Sequence, residues 1–396
     1  MESTMNQQHT SSFKHWRPAL AVLAVAALAA CGGGGGSDDD VAAGDTGVFA
    51  SGVIHGFGSV VVNGVRYDDS SAVVRTEGGE AAASDDLRLG MVVDIEAQAA
   101  STATAATATS IVVRSEVEGP VTALDAAAGT LTVLGQAVTV NAATVWEDAR
   151  LSTLAVGDIV EVHGLRDADG VIVASRIDRE DGDEDDYDLR GTVAAADAAA
   201  GTLRIGALDI SWGGAWPAAL AAGSTVRVTL ATAPAAGGAW PALSLRVLDT
   251  SAGATDGVRA ELEGLVTAYT SAASFRVAGV AVDASGLAGL PAGLAAGVRV
   301  EVEGVFAGGT LRATKVEIEH DADRGDDDGL EISAAIEALD ATAKTLVLRG
   351  VTVDWSGARF EDGSAAQLAV GTRIEVQGVL GADGSTLVAA EVDFER

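Results

Sequence analysis

The stretch Gly157–Gly164, which reads GDIVEVHG, recurs along the chain in five versions. In every version the third and fifth residues after the glycine are apolar, and the residue between them is charged. This alternation predicts a β-strand with one face in a core and the other in water. The chain is therefore predicted to be an array of five similar small β-modules. The opening glycines are Gly90, Gly157, Gly223, Gly297 and Gly371.

The second module shows the predicted strand plan most clearly. Turn residues separate five short β-like segments, and the less regular stretch Ala142–Val156 between the third and fourth has room for a short helix. Five strands in this order favour an all-β fold of small OB-like barrels, with a split sandwich as the structural alternative. The predicted strands are Val117–Leu124, Thr130–Leu134, Ala137–Asn141, Ile159–His163 and Val171–Ile177.

The repeat sets the predicted domain boundaries. Residues 1–30 are a signal peptide, and 31–47 are a Gly/Asp tether. Acidic linkers occupy 178–188 and 320–329, and a third linker occupies 251–258. The modules are residues 48–115, 116–177, 189–250, 259–319 and 330–396, numbered one to five below.

The start of the chain carries a targeting signal. Lys14 and Arg17 precede the apolar run Ala19–Ala30, which is too short to span a bilayer. The run ends in Leu28-Ala29-Ala30-Cys31, which resembles the bacterial lipobox; an ordinary secretory signal is the alternative. The resemblance implies an acylated Cys31 that anchors the protein in the membrane. Gly32 after the cysteine favours the outer membrane, with the protein on its periplasmic face or at the cell surface.

Composition excludes several classes of function. The net charge is −32, and such a surface repels phosphate backbones, so no nucleic-acid partner is expected. Cys31 is the only cysteine, so no disulfide can stabilise modules that are marginal on their own. Packing between neighbouring modules is the expected remedy.

Two groups of residues are candidate binding sites. Trp212, Trp216 and Trp355 lie beside the predicted inserts, either as lids on the barrel ends or as stacking platforms for a sugar or aromatic ligand. Asp181, Asp183 and Asp185 alternate as in the first half of a calcium-binding loop, so the acidic linker is either a solvated spacer or a weak calcium site. No other cofactor is expected.

No catalytic residue is predicted. His163 and the recurring acids Asp94, Glu161, Glu301 and Glu375 fall on the strand face turned away from each core, which predicts solvated positions. The expected function is a non-enzymatic binding or scaffold array with an envelope protein or glycan as partner. The alternatives are a glycan-acting envelope enzyme with its site in module three, and a calcium-responsive surface spacer.

The acidic linkers also predict how the modules move. Like charges keep such segments extended at low salt, so modules one and two, three and four, and five would behave as three bodies on two hinges.

The segment GVIHGFGSVVVNGVRYD from Gly52 and the repeated glycine–valine patterns resemble a bacterial family known as domain of unknown function 5666. The resemblance extends from Val48 to Arg396 and is strongest in modules one, two and five, whereas module three departs from it. It implies tandem copies in an envelope lipoprotein and carries no activity or catalytic residue.

Overall fold

The computed structural model describes residues 47–99, 104–182, 184–248, 255–319 and 329–395. These residues form β-strands, turns and two 3₁₀ turns, Ser84–Asp86 and Ala365–Gln367. The all-β prediction is confirmed. The described residues include no α-helix, and so none that could cross a bilayer.

Module two closes into a five-stranded barrel. Its first strand pairs with the second, the second with the third, the third in parallel with the last, and the last with the fourth, which returns to the first. An extra short strand, β11, runs parallel to the last one. The strands are β8 (Val117–Asp125), β9 (Thr130–Val133), β10 (Gln136–Thr139), β11 (Val145–Glu147), β12 (Ile159–Arg166) and β13 (Ile172–Arg179).

The same cycle of pairings recurs in the other modules, except that the first strand of module five is divided into two short strands. Module one contains β1 (Gly47–Phe57), β2 (Val60–Val62), β3 (Val65–Asp68), β4 (Val73–Thr76), β5 (Ala81–Ala82), β6 (Val92–Ala99) and β7 (Ala105–Arg114). Module three contains β14 (Asp186–Asp197), β15 (Thr202–Ile205), β16 (Leu208–Trp212), β17 (Thr225–Ala231) and β18 (Trp240–Val247). Module four contains β19 (Arg259–Ser271), β20 (Ser274–Val277), β21 (Val280–Asp283), β22 (Arg299–Ala307) and β23 (Thr310–Ile318). Module five contains β24 (Leu330–Ala335), β25 (Ala338–Asp340), β26 (Thr345–Leu348), β27 (Val351–Asp354), β28 (Arg359–Glu361), β29 (Arg373–Leu380) and β30 (Thr386–Phe394).

The repeated glycine makes the same turn in every module. In Gly157 the backbone φ is 99°, a left-handed conformation that favours glycine. Its N–H donates to the Val121 carbonyl of the first strand over 2.8 Å. Equivalent bonds tie Gly90 to Ile54, Gly223 to Val193, Gly297 to Val266 and Gly371 to Ile336. The glycine therefore fixes where the fourth strand enters each barrel.

A leucine three residues before that glycine is buried in every module, although the insert as a whole is irregular. The predicted helix within Ala142–Val156 is wrong: this segment holds β11, and its Thr144 hydroxyl donates to the Ala174 carbonyl over 2.8 Å. The insert of module two thus places this leucine, together with Val145 and Trp146, in a core without forming a helix. The leucines are Leu87, Leu154, Leu220, Leu294 and Leu368.

The first strand of module one joins three modules. β1 pairs in parallel with β19 of module four, from Val48 opposite Arg259 to Ser51 opposite Leu262. Its far end pairs in parallel with β24 of module five. Modules one and five also share one hydrophobic core, and modules two and three share another.

Further contacts hold module two to modules one and five. The Ser175 hydroxyl donates to the Gly90 carbonyl over 2.6 Å. The backbone N–H of Trp146 donates to the Gly384 carbonyl over 2.8 Å. The second contact, like the pairings of β1 with β19 and β24, joins modules that the three-body expectation separates, so that expectation does not describe this fold. The first acidic linker is also shorter than predicted, because β13 extends to Arg179 and β14 begins at Asp186.

Candidate functional site

Trp355 is part of a module core. Its ring is 8% exposed and meets Phe360 edge-on, with ring centroids 6.0 Å apart and planes at 77°. A ring enclosed in this way offers no open face to a ligand, so Trp355 is not a stacking platform.

Trp212 and Trp216 lie at the margin of the core shared by modules two and three, and both are half-buried. The Trp212 indole N–H donates to the Ala215 carbonyl over 3.0 Å, and that of Trp216 to the Leu220 carbonyl over 3.3 Å. Both indoles therefore hydrogen-bond to the loop between β16 and β17 of their own module, as expected if they form a lid on the barrel. Sugar stacking at these two residues stays a prediction.

The proposed calcium residues lie in the loop between β13 and β14. Asp181 and Asp185 already have partners within the protein, and Asp183 falls outside the described residues. Calcium binding there stays a prediction. Cys31 also falls outside the described residues, as does the whole signal peptide.

The most prominent polar feature in the described ranges is a group of charged side chains where modules one, two and three meet. We call it the junction cluster. Most members lie on the strand faces turned away from the barrel cores, which here face neighbouring modules, whereas Glu77 lies in the turn after β4 and Glu116 lies just before β8. They are Glu77, Arg114, Glu116, Glu161, His163, Arg166, Arg176, Asp178, Asp188, Arg190 and Arg227.

Glu116 joins modules two and three in this cluster. It is 5% exposed and contacts Arg166 Nε at 2.6 Å and Arg190 Nη1 at 3.1 Å. Burial alone would raise the pKa of Glu116, but Arg190 and Arg166 outweigh burial and hold that pKa below its ordinary value. The carboxylate therefore stays ionised and balances the positive charges of both guanidinium groups.

Glu77 ties module one to module three. Its carboxylate lies 3.3 Å from Arg190 Nε and 3.5 Å from Arg227 Nη1. Arg227 also contacts Asp188 at 2.9 Å. Arg227 occupies the strand position that is acidic in the four other modules, and its reversed charge faces the acids of its neighbours.

The prediction that His163 is solvated is wrong, because its side chain is completely buried. The imidazole Nδ1 lies 2.8 Å from the Arg114 carbonyl of module one, and Nε2 lies 3.5 Å from Glu161 Oε2. Burial alone would lower the pKa of His163, but Glu161, with lesser help from Asp178 and the carbonyl, raises it to about 9. The strand face at His163 is an interface between modules.

A second group of acids lies on module four. Glu261 of β19 and Glu301 and Glu303 of β22 have carboxylate oxygens within 4.8 Å of one another. Burial, followed in importance by the charge of Glu303, raises the pKa of Glu261 to about 7. Burial, followed by the charge of Glu261, raises the pKa of Glu301 to about 8. The predicted solvated position of Glu301 is therefore half-buried and crowded by like charge.

This crowding predicts a pH-dependent gain of stability for Glu301→Gln. The folded-state pKa of Glu301 exceeds its unfolded value, so the wild-type chain loses stability as pH rises from about 4.5 through 8. After allowance for solvent screening, the variant should be more stable than wild type by about 1–2 kcal/mol at pH 9 and unchanged at pH 4. Urea denaturation at both pH values measures this.

Glu319 and the cross-strand partners Glu263 and Glu317 are further acids around Glu301, whereas Lys315 favours the ionised acids. Asp209→Asn is the matched control, since Asp209 is exposed and lies on module three, outside this group of acids. A gain for Glu301→Gln that is equal at both pH values would contradict the assignment.

The comparisons with known proteins fit this modular structure. Residues 118–178, 263–317 and 334–393 match the family model described as "Domain of unknown function (DUF5666)". Three segments of this chain are members of that family. These segments lie in modules two, four and five. The expectation that module one resembles the family strongly is therefore not met, whereas the expectation that module three departs from the family is met.

No curated protein matches the chain. A solved structure described as "drosophila Unr CSD456" is 13% identical and covers 52% of this chain and 96% of that chain, with a TM-score of 0.13. A score this low carries no argument. The DUF5666 description names no activity, so the family match assigns none to this chain.

Proposed function

We propose that this chain is a lipid-anchored, non-enzymatic protein of the bacterial envelope whose barrel modules form one binding or scaffold body. The anchoring rests on the sequence Leu28–Cys31, with its small residues before a single cysteine. The proposal of a single body rests on the contacts that join module one to each of the other modules.

The observation that supports the non-enzymatic role is that the recurring acids of modules one and two, Asp94 and Glu161, are held in ion pairs. Asp94 contacts Arg114 at 3.2 Å, and Glu161 lies against His163. A general acid needs a raised pKa and access to substrate, whereas Glu161 has a lowered pKa because His163 outweighs its burial. The cluster therefore supports a role in holding modules together.

The partner is an envelope protein or a glycan, bound on the outer surface of the assembled modules. The charge of −32 disfavours a nucleic-acid partner, because it repels phosphate backbones. A body anchored by acyl chains through a tether of roughly 20–24 Å stays close to the membrane surface.

Cys31→Ser tests the anchoring directly. This variant should move the chain from the membrane fraction to the soluble fraction of the cell, because no thiol remains to be acylated. Ser37→Ala, in the same tether, is the control and should stay with the membrane. Retention of Cys31→Ser in the membrane fraction would refute lipid anchoring.

A pull-down from envelope extract tests the binding role. Wild type and Cys31→Ser should capture the same partner, because the binding surface lies on the barrels. Turnover of a glycan by the purified chain would instead favour the enzyme.

A further inference from the structure

Glu161, His163 and Asp178 form a compact group of possible ligands. Glu161 and His163 lie two residues apart on one face of β12, and Asp178 is the direct cross-strand partner of Glu161 on β13. One ligand atom from each residue lies within 4.8 Å of the others. The β-pairing thus holds three donors together on a rigid part of the barrel.

The histidine is oriented as a metal-binding imidazole. Its Nδ1 donates to the Arg114 carbonyl over 2.8 Å, so Nε2 is the ring atom that faces the acids, and a metal ion bound there would displace the Nε2 proton. Nε2 is buried and makes no hydrogen bond. The distance from Nε2 to Glu161 Oε2 is 3.5 Å, close to the separation of two ligands on one tetrahedral ion.

Asp178 supplies a second buried atom without a hydrogen bond. Arg176 Nε contacts Asp178 Oδ2 at 2.7 Å, whereas Asp178 Oδ1 is buried and has no hydrogen-bond partner. Leaving a charged oxygen buried and unpaired is costly. A cation between Oδ1 and His163 Nε2 would satisfy both atoms.

Three protein ligands leave one position of a tetrahedral ion open. A cavity of about 20 Å³ lies on the Glu161 side of the group and is lined also by Ser115, Glu118 and Arg227, but not by His163 or Asp178. This volume accommodates one water molecule. Three protein ligands and a water are a common arrangement for zinc.

We propose that Glu161, His163 and Asp178 bind a divalent transition-metal ion of the zinc class at the junction of modules one and two. An imidazole ligand selects such ions over calcium and magnesium, which prefer all-oxygen sites. The ion would brace β12 and β13 against module one through the Arg114 carbonyl. The site goes beyond the scaffold role and does not depend on lipid anchoring.

The test uses the purified full-length Cys31→Ser chain, stripped with chelator and titrated with Zn²⁺ and with Co²⁺ as a spectroscopic probe. One equivalent should bind, Co²⁺ should develop visible absorption, and Zn²⁺ should raise the melting temperature. Calcium in excess should not displace the ion. His163→Gln, Glu161→Gln and Asp178→Asn should each weaken binding at least about tenfold, as loss of a metal ligand does.

Glu301→Gln is the matched control, because it removes an acid from the other cluster and should leave Zn²⁺ affinity unchanged. Far-UV circular dichroism of the stripped variants checks folding, and if His163→Gln does not fold, the isosteric Glu161→Gln and Asp178→Asn variants decide. Absence of binding to wild type would overturn the proposal. So would affinity that survives all folded site variants or is lost in Glu301→Gln, since the ion would then lie elsewhere.

Discussion

Glu116→Gln should lower the free energy of unfolding by about 3–5 kcal/mol, the usual cost of removing one partner from a buried ion pair. The amide nearly preserves the shape of the side chain but leaves Arg166 and Arg190 facing a neutral group at 2.6 and 3.1 Å. Urea denaturation of the Cys31→Ser chain with and without the second substitution measures the loss.

Asp209→Asn provides the matched control. Asp209 pairs with Arg204 over 2.7 Å on the surface of module three, where both side chains are more than half exposed. Water screens such a pair, so stability should be nearly unchanged. The wild-type pKa of Glu116 is lowered, so the stability it contributes is present above its unfolded pKa of about 4.5 and is lost as pH falls through the lower folded value. Equal losses for the two variants would contradict a cluster that holds modules together.

Gly90→Ala should be the most damaging alanine substitution among the five repeated glycines. A Cβ at Gly90 would lie 2.6 Å from the Ser175 carbonyl oxygen and 2.9 Å from Arg176 Cβ, both in module two. The left-handed backbone costs about 1–2 kcal/mol in any of the five, and the clash adds about 1–3 kcal/mol. Thermal and urea unfolding of each variant gives the ranking.

Gly371→Ala is the control, because Gly371 has a similar φ of 87° and nothing within 4 Å of the added Cβ. It shares the backbone strain and lacks the contact with another module. If the two substitutions cost the same, modules one and two do not pack against each other at this point.

The barrel plan was predictable because it depends on local pattern. Val160 and Val162 alternate with polar neighbours, and Gly157 marks the turn before them, so a strand and its start follow from the residues themselves. The buried Leu154 could have been found in the same way, since a leucine stands three residues before each repeated glycine. The short helix does not form because Val145–Glu147 pair as β11 with the last strand, a long-range contact that local pattern does not reveal.

The junction cluster was not predictable from alternation. Alternation shows only that a polar side chain points away from the core of its own module. It does not show whether that side chain meets water or a charged residue of another module. His163 and Glu161 were assigned to solvent for this reason. The available signal was the departure from the repeat: Arg227 replaces an acid in a strongly acidic protein, which suggests that acids of another module lie opposite.

The central claim is that the modules form one body around module one, and small-angle scattering of the lipid-free Cys31→Ser chain tests it most directly. A compact chain of this length should have a radius of gyration of about 20–23 Å, with the same value from 0.01 M to 0.1 M salt. A radius of about 30 Å or more that falls as salt is added would show separate modules on charged hinges and would contradict the account.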